Sequence, residues 1–351
     1  GMDGIEIESY GHLFDQFWSP VTNRRDDEYG GDLDGRMTFG WRVLRAVRDR
    51  VGAEFVVGLR MAIDERLAGG IETPIGLEML GRIEALIDFV NVIRGNVADE
   101  VALTEVIPIH GMPSVPHLDF AGRVREHTGL TVMHASKVDE VASARHAVRE
   151  GKLDLVGMTR AFMAEPHLIR KVVAGREAEI RPCVGATYCL DRIYEAGEAL
   201  CIHNAATGRE RTMPQDITPA AAARRFGNVG AGPAGLEAAR VAGERGHEVI
   251  VLEAMPWAGG QINLATRNPR RTDLRGIVDW RLSECARLGV EFRYDTYADG
   301  DTVAALAPDV AIVATGGQPQ LPALEAGADR VVTSWDVLGG AVVPTGDVLF
   351  Y

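Results

Sequence analysis

The sequence predicts an α/β chain in two parts. The first is the C-terminal part of a (β/α)8 TIM barrel, and the second, beyond an irregular connector, is a Rossmann-like dinucleotide-binding domain. Three observations carry this. Short apolar strands alternate with amphipathic helices through residues 2–180, a G-x-G-x-x-G turn opens a helix at 230–235, and the stretch between has little periodicity. The predicted domains are 1–180 for the partial barrel, 181–225 for a cysteine-containing connector and 226–351 for the truncated nucleotide domain.

The barrel strands are read at 4–7, 55–60, 89–93, 131–134 and 153–157, each a short apolar run. The helices between them are read at 36–50, 74–86, 116–127 and 138–150; in the first, Phe39, Val43 and Val47 recur at helical spacing. Crossovers of this length imply a parallel sheet. No glycine fingerprint precedes any of these helices, which favours a barrel over a nucleotide fold. A complete barrel would need about three further strands. Barrel chemistry sits at the C-terminal ends of the strands, which directs attention to 7–12, Arg60, Asn91, 134–137 and 157–160.

In the second domain a broken strand at 226–229 leads into Gly230, Gly232 and Gly235. Gly230 makes the tight turn, Gly232 admits a pyrophosphate to the backbone, and Gly235 lets helix and strand approach. The helix, read at 233–245 with Pro233 and Ala234 in its first turn, points unpaired N–H groups at the phosphates. A strand at 247–252 ends on Glu253, placed to bind a ribose hydroxyl, and Gly260 and Gln261 close the stretch. The run at 309–317 reads as a buried strand followed by a glycine turn.

The bulk numbers exclude several classes. The chain is 46% hydrophobic and 25% charged, an ordinary globular balance. A net charge of -13 argues against nucleic acid or an anionic membrane as partner, and no apolar run reaches the roughly 18–20 residues of a membrane span. A cytoplasmic location is expected. Four cysteines are too few for a disulfide scaffold, but Cys183, Cys189 and Cys201 cluster, which suggests metal or redox chemistry. Cys285 lies on an amphipathic helix and reads as buried. Both ends read as cut: the chain opens inside a strand without an initiator methionine at position 1, and 346–351 looks like a strand beginning. An internal fragment is therefore expected, the alternative being a tag remnant before a start at Met2.

NRRDDEYGG at 23–31, with GMDGIEI before it, resembles the Old Yellow Enzyme family of FMN barrels. The order of barrel, cysteine cluster and GAGPAG domain resembles its branch holding 2,4-dienoyl-CoA reductase and trimethylamine dehydrogenase. Within it, IESYGHLFDQFWSP and RPCVGATYCLDRIYEAGEALCIHNAATGRE look most like the N-methyl amino acid demethylases, those of dimethylglycine and N-methylproline among them.

The resemblance implies FMN at the barrel mouth, an iron–sulfur cluster in the connector and FAD, or an ADP-like relic, in the last domain. Arg60 matches the arginine over the flavin pyrimidine edge, where a fixed cation stabilises the anionic reduced ring. Ala135, Ser136 and Lys137, with Gly157, Thr159 and Arg160, fall where the FMN phosphate would sit. HASK at 134–137 departs from the Gly-x-Gly-Arg type turn of many relatives. His12 stands where enoate-reducing relatives place a proton-donating tyrosine, and Tyr10 stands in the place of a carbonyl-binding His or Asn. That departure turns the expectation from enone reduction to oxidation of an N-methylated amine. Histidine exchanges protons near neutrality and can keep the amine neutral, as loss of hydride from the N-methyl group requires. Asn91 replaces an acidic residue of trimethylamine dehydrogenase.

Cys183, Cys189 and Cys201 match three of the four ligands that the family uses for a [4Fe–4S] cluster; the remaining position is Ala186. Three arrangements stay open: [4Fe–4S] with a non-cysteine ligand such as His203, [3Fe–4S], or no cluster. The expected substrate is a small amine, with electrons passing to an external acceptor such as an electron-transfer flavoprotein, in a homo-oligomer. The rival runs the other way, with NAD(P)H reducing an enoyl-CoA or other enone. A third reading is an inert fragment that retains nucleotide binding alone.

Overall fold

The computed structural model describes residues 1–321 and 326–349. It divides into two compact units, Gly1–Phe162 and Met163–Tyr351. Residues 163–180, grouped with the barrel in the sequence reading, fall in the second unit.

In the first unit five strands form one sheet in the order β1 (Gly4–Glu8), β2 (Val56–Asp64), β3 (Phe89–Arg94), β4 (Thr131–His134) and β5 (Leu155–Val156). Every pairing is parallel. Sequential order with a helix in each crossover is what the strand–helix alternation dictates. The helix Leu33–Val51 starts where the Asp32 side chain accepts the Gly35 N–H at 2.9 Å, an N-cap that satisfies an otherwise unpaired donor. Thr73–Ile83, Leu118–Arg125 and Val141–Arg149 fill the other crossovers. Their apolar faces meet the sheet in one core that includes Trp18, Leu44, Leu59, Met79, Leu80, Val90 and Val132. Short helices at Leu13–Trp18 and Glu100–Val106 were not visible in the periodicity, because one or two turns are too few to establish it.

One strand runs further than expected. β2 continues past Arg60 through Met61, Ala62 and Ile63 to Asp64, so Arg60 lies inside the strand. It is nevertheless the last β2 residue paired with β1, opposite Glu8.

The second unit has a four-stranded parallel sheet ordered β8 (Glu291–Arg293), β7 (Glu248–Leu252), β6 (Arg225–Val229), β9 (Val310–Val313). The helices Pro233–Glu244 and Gly276–Arg287 pack on it around Leu236, Val251, Val278 and Cys285. Burial pushes the Cys285 thiol up to about 12, a structural cysteine as expected. β9 is not the buried strand that was expected. It forms the sheet edge and Val313 is 75% exposed, because an edge strand has a neighbour on one side only. Of the strand read at 346–351, residues 350 and 351 lie outside the described residues, and 346–349 form none. No helix among the described residues is long and apolar enough to cross a membrane.

Candidate functional site

In the first unit, the chain leaving β1 folds back onto the end of the β1–β2 ladder. Backbone N–H groups of Ser9 and Tyr10 both donate to the Arg60 carbonyl, at 3.0 and 3.3 Å, and Ser9 Oγ donates to it at 2.7 Å. The turn closes through Gly11, whose φ of +70 suits glycine; a Cβ there would meet Val97 at 2.5 Å. The Gly11 N–H donates to Asp15 Oδ2 at 2.5 Å. The sequence therefore delivers Tyr10 and His12 on a turn fastened at both ends.

Tyr10 is buried, with the Arg60 guanidinium 5.0 Å from its ring centroid. Arg60 Nε is sealed from solvent without a hydrogen-bond partner, and its nearest carboxylate, Glu8, is 3.7 Å away. Beside it in register, Asn91 on β3 donates to Glu6 at 3.1 Å and leaves its buried Oδ1 unpaired. At the end of β4, His134 uses Nδ1 on the Val92 carbonyl at 2.7 Å and leaves Nε2 buried and unpaired. Burial, helped by the charges of His117 and Arg60, pulls the His134 imidazole down to about 4, so it is neutral near pH 7. Three neighbouring strands thus each present a buried polar atom without a partner among the described residues.

The two predicted phosphate loops adjoin. The Gly157 N–H donates to the His134 carbonyl at 2.9 Å, and a Cβ on Gly157 would lie 2.5 Å from that of Ala135. Their side chains are used locally. Lys137 Nζ donates to the Met112 carbonyl, Ser136 Oγ to that of Val106 at 3.4 Å, and Arg160 Nη1 to that of Pro108 at 2.8 Å. Thr159 opens the short helix Thr159–Ala164.

Asp15 was missed in the sequence. Burial raises its carboxyl from 3.8 to about 7, against the Gly11 N–H bond that lowers it, with Glu65 adding to the rise. Its Oδ1 has no partner. The only available signal was an acid one helical turn beyond the Tyr10–His12 turn, and an acid in a helix's first turn is common on surfaces.

In the second unit the glycine turn has the expected construction. Gly230 has φ of +100 and a Cβ on it would meet the Ala314 carbonyl at 2.4 Å; one on Gly235 would lie 1.9 Å from the Gly230 carbonyl. Nothing lies within 4 Å of Gly232's Cβ direction except the Gly260 Cα at 4.0 Å. The Gly259 N–H donates to the Ala231 carbonyl at 2.8 Å, and Gln261 Nε2 to that of Gly317 at 3.4 Å, which draws 259–261 and 317 to the turn. Glu253 accepts the N–H groups of Ala231 at 2.7 Å and Met255 at 2.9 Å, so here its carboxylate braces the turn itself.

Among the described residues no group of three or more His, Cys, Asp or Glu side chains could hold a metal ion. Cys189 starts the helix Tyr188–Tyr194 one residue in, while Cys201 accepts the His203 N–H at 3.4 Å. The substitute ligand considered for the cluster, His203, is buried, with Nδ1 on the Pro182 carbonyl at 2.9 Å and Nε2 unpaired.

Residues 1–179, which carry the five strands and the Tyr10–His12 turn, match the family described as NADH:flavin oxidoreductase / NADH oxidase. The chain belongs to that family. As a member of the NADH:flavin oxidoreductase / NADH oxidase family, it is 54% identical over 353 residues to a probable N-methylproline demethylase of Rhizobium meliloti strain 1021, covering 100% of this chain and 52% of that protein. It is 44% identical over 363 residues to an N,N-dimethylglycine/sarcosine dehydrogenase of Chromohalobacter salexigens, again 100% of this chain and 52% of the relative. Among solved structures, a 2-naphthoyl-CoA reductase in complex with 2-naphthoyl-CoA superposes with a TM-score of 0.89 at 28% identity, covering 97% of this chain and 52% of that one. The chain spans about half the length of the curated relatives it matches.

Proposed function

We propose that this chain is the portion of an FMN-dependent oxidoreductase that removes an N-methyl group oxidatively from a small amine or amino acid, releasing formaldehyde. One observation carries the reading. In a chain similar along its whole length to two proteins named for N-methylated amino acid chemistry, the substrate turn presents a histidine, His12, whose ring makes no hydrogen bond among the described residues.

The first unit would be part of a TIM barrel with FMN at its mouth. The unsatisfied Arg60 Nε, Asn91 Oδ1 and His134 Nε2 suit a planar heterocycle whose edge carries both donors and acceptors. FMN, when bound, supplies a hydride acceptor. Arg60 would place positive charge beside the ring edge, Tyr10 would wall the pocket, and the loops at 135–137 and 157–160 would hold the phosphate through backbone N–H groups and Arg160. His12 would hold the proton of the substrate amine, leaving the nitrogen lone pair free to assist departure of the N-methyl hydrogen.

The second unit would be a Rossmann-like domain that places FAD or ADP on the turn at 230–235; the open space at Gly232 supports this. Cys183, Cys189 and Cys201 would supply the thiolates that an iron–sulfur cluster requires, although no group of three or more His, Cys, Asp or Glu side chains among the described residues could hold a metal ion. An external acceptor such as an electron-transfer flavoprotein, and a homo-oligomeric assembly, complete the proposal.

The test uses the protein at the full length of its relatives, purified anaerobically. Dimethylglycine or N-methylproline should bleach the flavin absorbance and release formaldehyde. The likeness to a CoA-thioester reductase supports a second reading, in which NADPH bleaches the flavin and an enoyl-CoA restores it. Bleaching by NADPH alone would displace the first reading.

A further inference from the structure

The second unit holds a cavity of about 360 Å³ that the proposed reaction does not use. Its wall is densely charged, and four of its five carboxylates are already paired with a Lys or Arg. Glu165 pairs with Lys171 at 2.6 Å, Glu179 with Arg176 at 3.2 Å and Glu284 with Arg287 at 2.7 Å. Glu244 pairs with Arg240, and Asp216 lies 3.0 Å from His167 Nε2.

Arg181 is left over. It lines the cavity, and its guanidinium lies 4.4 Å from the Trp280 ring centroid. Its side chain makes no hydrogen bond or ion pair among the described residues, and Nε is sealed from solvent. Two further guanidinium groups crowd the same indole, Arg240 at 5.3 Å and Arg281 at 5.9 Å, and both are held by Glu237. The indole is itself fixed, with Nε1 donating to the Glu179 carbonyl at 3.0 Å. The carboxylates that attract it, Glu237 and Glu165, are each bonded to other cations, and a guanidinium half withdrawn from water beside Arg240 and Arg281 gains from a further acceptor.

We propose that this cavity binds a small oxyanion, the phosphate or carboxylate of a metabolite. Arg181 is the planar fork that receives it, and Trp280 is the floor that holds the fork flat. A guanidinium pairs with two oxygens of one anion in parallel, which a halide cannot offer. The volume lies within the range of small-molecule sites.

The experiment uses the full-length protein and inorganic phosphate or, separately, succinate, against sodium chloride at matched ionic strength. Indole fluorescence and thermal midpoint are read, with Trp280→Phe assigning the fluorescence change. The expected result is a saturable response to one oxyanion that chloride does not reproduce, weakened about tenfold or more in Arg181→Met, the loss expected for a charged hydrogen-bonded pair. Arg181→Lys, which keeps the charge without the fork, should bind with intermediate strength, and it carries the test if the Met variant does not fold. Saturation by phosphate alone marks a phosphorylated ligand, and saturation by succinate a carboxylate. A response that fails to saturate, that chloride reproduces, or that survives both substitutions unchanged overturns the proposal.

Discussion

The turn at 9–12 and the glycine turn at 230–235 are both loops leaving the C-terminal end of a parallel strand, yet they are finished differently. The glycine turn is closed by its own sequence neighbourhood and by Glu253, which returns to the Ala231 N–H. The Tyr10–His12 turn is fastened just as firmly in its backbone, but the side chains gathered around it from β2, β3 and β4 leave Arg60 Nε, Asn91 Oδ1 and His134 Nε2 without partners. A turn built from backbone groups can be satisfied by its own neighbours. Side chains drawn from several strands have no such local closure, and in the proposed reading the flavin ring would supply their partners.

The largest expected effect is at Gly235. Gly235→Val would drive a side chain into the Gly230 carbonyl, and a loss of about 4–5 kcal/mol is expected. Denaturant unfolding of the second unit should show it, with the first unit's transition unmoved; equal loss in both would mean that the units do not fold independently.

Asp15→Asn comes next. A carboxyl raised from 3.8 to about 7 contributes stability that is fully present below about pH 4 and is lost as pH rises through about 7. Full loss corresponds to at most about 4 kcal/mol. The Asn variant keeps an acceptor for the Gly11 N–H, so it should flatten that decline. A variant and parent that lose stability in parallel between pH 4 and 8 would show that Asp15 is ionised throughout.

Arg60→Met should leave the fold intact and reduce turnover by about 100-fold, as removal of one preorganised charge does. Stopped-flow reduction of the flavin measures it, and an unchanged rate would remove Arg60 from the site.

The smallest expected effect is at the brace. Glu253→Gln keeps an acceptor for one N–H and should cost about 1 kcal/mol. Adenine-nucleotide affinity, followed by calorimetry, should fall only modestly; a large loss would mean that the carboxylate turns from Ala231 to the ribose.

Much of this was legible in the residues because it is local. All five strands of the first sheet, their order, and the four crossover helices follow from periodicity, and the roles of Gly230 and Gly235 follow from spacing alone. Arg60 reads from the sequence as a strand end, whereas β2 runs on to Asp64 and only its pairing with β1 stops at Arg60. The exposed edge position of β9 was not legible, since an apolar run is the same whether one neighbour flanks it or two.

The parallel α/β alternation, the glycine turn, and the placing of Tyr10 and His12 on one turn are all local properties of the chain. Each depends on residues within a few positions of one another, where backbone geometry and side-chain period decide the outcome. The burial of Asp15 behind Gly11, the meeting of Asn91 and His134 with Arg60 with atoms unpaired, and the unpaired Arg181 Nε beside Trp280 come from the packing of distant segments. Those outcomes depend on burial and on partners from distant segments, and neither is encoded in any local spacing.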